Sequence, residues 1–160
     1  MPEVRFYHLV RQTLESVLPV MLTRTLERGG RAVVQGPEAE RLEALDRLLW
    51  IFDEASFLPH ARAGVAPGEP GDHPIWLTTG EERPNAPNTL FLIDGAPVDP
   101  ATLGQIETTA ILFDGNDAAA TEAARQAWRM VTSAGLRAVY WAEDPAKGWV
   151  RQAESAPGQS

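Results

Sequence analysis

The chain has no cysteine, so a disulfide framework, a thiolate metal site and a cysteine nucleophile are all excluded. Lysine is almost as scarce. The single one, Lys147, stands near the C-terminus, far from any turn where a phosphate loop or a Schiff base would need it. No stretch approaches the ~20 apolar residues of a membrane span, and the opening MPEVRFYHLVRQTLE lacks the basic segment and apolar core of a leader. A cytoplasmic protein with no membrane partner is therefore expected. His8, His60 and His73 have no metal-ligand spacing, and no serine stands in a Gly-x-Ser-x-Gly elbow. These residues predict no metal, no cofactor and no catalytic residue of those kinds.

What is present is one ordinary domain. With 160 residues and 44% hydrophobic content, the chain is long enough to bury roughly two thirds of the surface its unfolded form exposes. The formal net charge is −8, which argues against direct nucleic-acid binding, because such binders present a basic face that releases counterions. Residues 118 to 137 are the exception, since they set Arg125, Arg129 and Arg137 against the lone Glu122.

Short apolar runs alternate with helical patterns, as in stacked β-α units around a parallel sheet. Strands are predicted at Val4 to Leu9, Arg31 to Val34, Ile75 to Thr78, Thr89 to Ile93, Ala110 to Phe113 and Leu136 to Trp141. A first helix from Thr13 to Arg28 places Leu14, Val17, Leu18, Met21, Leu22 and Leu26 on one face and stops at Gly29-Gly30. Pro19 requires that it start late or kink. A second helix should open at Pro37 and run to Phe52, with Leu42, Leu45, Leu48 and Leu49 inward. Asp53 to Pro74, rich in glycine and proline, reads as a long loop. The last helix, capped by Asn116 or Asp117, should span Ala118 to Ser133 and end at Gly135. The fold class is α/β, a three-layer α/β/α sandwich with a mostly parallel, Rossmann-like sheet. One domain is expected over residues 1–144, with a disordered tail over 145–160.

In such a fold a nucleotide would be held by a glycine-rich turn after the first strand. Here that turn is Val10-Arg11-Gln12-Thr13, with no glycine. Two strands end alike, in Ile93-Asp94-Gly95 and Phe113-Asp114-Gly115, which puts an aspartate where α/β enzymes often hold Mg²⁺. A Mg²⁺-dependent nucleotide-hydrolysing or phosphotransfer enzyme is the alternative this supports. The plainer reading is that Asp-Gly begins a turn.

On the last helix Arg125 and Arg129 are one turn apart, with Trp128 beside both. Arginine forks match carboxylates and an indole walls an apolar pocket, so an acidic peptide with an apolar anchor would suit the three. The pattern equally permits Trp128 in the core and two solvated arginines. Trp50, Phe57, Leu58 and Pro59 form a second apolar group of the kind that marks a protein interface.

The chain resembles the chi subunit of bacterial DNA polymerase III. The likeness runs through Phe6-Tyr7, Arg41 to Leu45, Trp50, Ser56 to His60, Ala63-Gly64, Phe113 to Asp117, Ala124-Arg125, Trp128-Arg129 and Ala134-Gly135. It implies an α/β/α protein that is no enzyme but a clamp-loader adaptor gripping the acidic, phenylalanine-ended C-terminal tail of single-stranded-DNA-binding protein. By that resemblance Arg125 forks the terminal carboxylate, Trp128 walls the phenylalanine pocket and Arg129 meets the tail's aspartates. Thr121 stands where some members carry another basic residue. The resemblance assigns Trp50, Phe57 and Leu58 to the psi subunit or another clamp-loader-associated protein.

Overall fold

A computed structural model describes residues 2–51, 60–62, 74–83, 85–144 and 146–155. In chain order the elements are β1 (Glu3–Leu9), α1 (Leu14–Glu27), β2 (Ala32–Gln35), α2 (Ala39–Ile51), β3 (His60–Arg62) and β4 (Ile75–Thr78). They continue with β5 (Thr89–Ile93), α3 (Pro100–Leu103), β6 (Thr108–Asp114), α4 (Ala118–Ser133), β7 (Arg137–Asp144) and β8 (Gly148–Ser155). Among the described residues the strands form one sheet in the order β3-β4-β2-β5-β6-β1-β7-β8. Every neighbouring pair is parallel except β7 and β8.

Side chains alternate across each strand, and this divides the core in two. Leu9, Ala32, Val34, Ile75, Leu77 and Leu112 meet Leu14, Val17, Leu18 and Leu22 of α1 and Leu42, Leu45 and Leu49 of α2. On the opposite face Val4, Phe6, Val33, Ile111 and Phe113 meet Leu103 of α3 and Ala124, Ala127 and Val131 of α4. The result is the expected three-layer α/β/α sandwich. Burying a side chain such as Phe6, fully enclosed here, contributes roughly 2 kcal/mol.

α1 begins with a capping box, in which the Thr13 hydroxyl accepts from the Ser16 N–H and the Ser16 hydroxyl accepts from the Thr13 N–H. It ends where Gly29 takes a positive φ of 78°. The helix does not start late to accommodate Pro19. That proline is buried inside it, where its missing N–H leaves one turn of the ladder unpaired. The second helix opens at Ala39 and not at Pro37.

The tail expectation is corrected over Gly148–Ser155, which forms β8 against β7. An edge strand needs only part of one face covered, and Trp149 meets that need edge-on to the Tyr7 ring at 5.3 Å. The loop expected over 53–74 likewise holds the short strand β3. The rest of that stretch up to residue 73, Phe57 and Leu58 included, lies outside the described residues.

Candidate functional site

α4 carries the arginine-tryptophan group. Asp117 starts the helix by accepting from the Ala119 and Ala120 N–H groups, at 2.9 and 3.3 Å. Ala124 and Ala127, small and buried, let the helix lie close to the sheet, while Arg125 and Arg129 face solvent. The Arg125 side chain is 66% exposed and meets the Glu122 carboxylate at 3.7 Å, a loose surface pair worth well under 1 kcal/mol. Arg129 has no acidic partner among the described residues. The Thr121 hydroxyl donates back to the Asp117 carbonyl at 3.0 Å, so its polar group is turned to its own helix.

Trp128 is half-buried. Its ring lies 5.4 Å from Phe6 at 59° and 6.1 Å from Tyr140 at 73°, tilted and edge-on geometries that aromatic quadrupoles favour. The indole is thus held on the sheet side by Phe6 and Tyr140, with part of it reaching the surface of the helix that carries the two exposed arginines. Tyr140 extends the group, because its hydroxyl lies 2.6 Å from His8 Nδ1. Burial pushes the Tyr140 phenol up from its ordinary pKa, against an opposing pull from the positive charge of Arg125. Sequence reasoning missed Tyr140 and His8 as members of this group. The available signal was Tyr140 in the strand after α4, whose alternation turns it to the same face as Ala138.

Of the second apolar group, Trp50 lies in the last turn of α2 by its backbone, while Phe57 and Leu58 are outside the described residues.

Asp94 and Asp114, from adjacent strands, do share a groove of about 670 Å³ at the carboxyl ends of β1, β5 and β6. There each is already engaged. Asp94 has a positive φ of 52° and pairs with Arg41 at 2.9 Å, and the same guanidinium binds Glu15. Asp114 Oδ1 accepts from the Asn116 N–H at 2.9 Å. The turn after β1, where phosphate would bind, holds a carboxylate of the chain itself. Glu143 accepts from the N–H groups of Val10 and Arg11 at 3.0 Å and of Gln12 at 3.2 Å. Among the described residues no three His, Asp or Glu side chains cluster as a metal would require.

A family model described as DNA polymerase III chi subunit, HolC, matches residues 1–138. The chain belongs to the chi family. It is accordingly an accessory subunit of DNA polymerase III with a role in DNA replication, associated with that polymerase complex. The chi match takes in α4 whole and ends within β7, so Tyr140, Glu143 and β8 lie beyond it. No curated protein matches the chain. Among the described residues no helix is long and apolar enough to cross a membrane.

Proposed function

We propose that this chi-family protein is a non-catalytic adaptor that grips the acidic C-terminal tail of single-stranded-DNA-binding protein and links it to the clamp loader. The observation that carries the reading is α4, where exposed Arg125 and Arg129 flank a half-buried indole on a chain of net charge −8. Arg125 forks the terminal carboxylate, the outer part of Trp128 walls the pocket for the last side chain, and Arg129 meets preceding aspartates. Trp50 with Phe57 and Leu58 is the proposed surface for the psi subunit or another clamp-loader-associated protein. The non-catalytic part is supported by Arg41 on Asp94 and by Glu143 in the first turn.

The test is calorimetric titration with an acidic peptide ending in phenylalanine. Wild type should bind at micromolar to tens of micromolar Kd, about 6 to 8 kcal/mol, weakening as salt rises. Arg125→Ala should lose most of that affinity, and undiminished binding would place the tail elsewhere. For the phosphotransfer alternative, Mg²⁺-dependent turnover of a nucleoside triphosphate that disappears in Asp114→Asn would overturn the adaptor reading.

A further inference from the structure

A second groove, of about 290 Å³, opens on the other face of the sheet from Trp128, between α1 and residues of β1, β5, β6, β7 and β8. Its walls are Tyr7, Trp141 and Trp149, with Phe91 and Met21 behind them, and its charged residues are Arg5, Arg24 and Arg28. Among the described residues no carboxylate lines it, although the chain as a whole is strongly acidic. Arg5 is held by Glu3 at 2.8 Å. Arg24 and Arg28, one turn apart at the end of α1, are exposed and have no acidic partner among the described residues. Arg24 in the last turn and Arg28 at the C-cap suit the negative end of the helix, and together they present two guanidinium groups to one anion. Trp141 lines the groove by its ring, while its indole nitrogen is itself buried, with no hydrogen-bond acceptor among the described residues.

The groove therefore offers indole and phenol rings and guanidinium forks, and it asks for an anion joined to a flat ring. Phosphate matches the paired arginines, and a nucleobase stacks on indoles. We infer that this groove binds one nucleoside phosphate, base against Trp141 and Trp149, phosphate on Arg24 and Arg28. Its size is that of a single nucleotide unit, and the acidic remainder of the surface gives no basic track for a long strand. The monoester is either a free nucleotide or the phosphorylated end of a single strand.

Following the indole N–H resonances of the whole chain during titration tests this, with thymidine 5′-monophosphate, unphosphorylated thymidine and a 5′-phosphorylated thymidine trimer as the probes. The monophosphate should shift the Trp141 and Trp149 signals saturably, with a Kd on the order of 0.1 to 1 mM. Thymidine should bind at least about tenfold more weakly, and the trimer's affinity relative to the monophosphate tells a free ligand from a strand end. The double variant Arg24→Ala/Arg28→Ala, altered only on the surface, should weaken binding at least about tenfold. Unmoved indole signals with both phosphorylated probes, equal binding of thymidine, or full affinity in the double variant would each overturn the inference. So would saturation of the same signals by an acidic phenylalanine-ended peptide and by neither phosphorylated probe.

Discussion

The Tyr140 hydroxyl and His8 Nδ1 lie 2.6 Å apart, joining the strand after α4 to the first strand of the sheet beneath Trp128. The pair holds the Tyr140 ring, on which the indole rests edge-on, so residues of the sheet help to orient Trp128.

Tyr140 should report on Arg125. An ultraviolet difference titration in a Tyr7→Phe background is expected to show Tyr140 ionising above the ordinary tyrosine value of 10.0. Burial is the main cause and Arg125 opposes it, so Arg125→Ala should move the titration further up. The sign for stability follows directly. A phenol with a raised folded-state pKa contributes stability that is fully present below the unfolded value and lost as pH rises through the folded one. Denaturation midpoints taken across that alkaline window check the sign.

Trp128→Ala should damage fold and binding together, whereas Arg125→Ala should damage binding alone. Removing a half-buried indole from Phe6 and Tyr140 should cost about 2 kcal/mol in urea denaturation. The exposed Arg125, with its loose pair to Glu122, should cost no more than about 0.5 kcal/mol.

Glu143→Ala leaves three amides of the first turn to water. A loss of about 1 kcal/mol is expected, less than for a buried group because the turn is exposed. Amide exchange at Val10, Arg11 and Gln12 should quicken while β1 stays protected. Unchanged exchange at all three would show that the carboxylate does not order the turn.

Much of the fold was legible in the residues. All six predicted strands and the three long helices form, because each has an apolar run or a helical apolar face that must be buried. α4 was placed over Ala118–Ser133 because Asp117 and Gly135 mark its ends as plainly as residues can. β3 and α3 escaped notice because three or four residues carry no period. β8 escaped because Gly148 to Ser155 has only Trp149 and Val150 as large apolar residues, and a polar sequence at an edge looks like a tail until its partner strand is known. Arg125, Trp128 and Arg129 were visible as a group since one helix turn joins them. Glu143 was not, because it reaches amides more than 130 positions away in the chain.

Glu143 acts on the first turn as a ligand tethered by the sheet itself. A tethered anion is present at an effective concentration of millimolar order or above, however dilute its surroundings. A free phosphate meeting this turn competes with an occupant that never diffuses away. The strand that follows α4 thereby sets a competitor of fixed, high local concentration in the commonest anion site of its architecture, while leaving the shape of the turn intact.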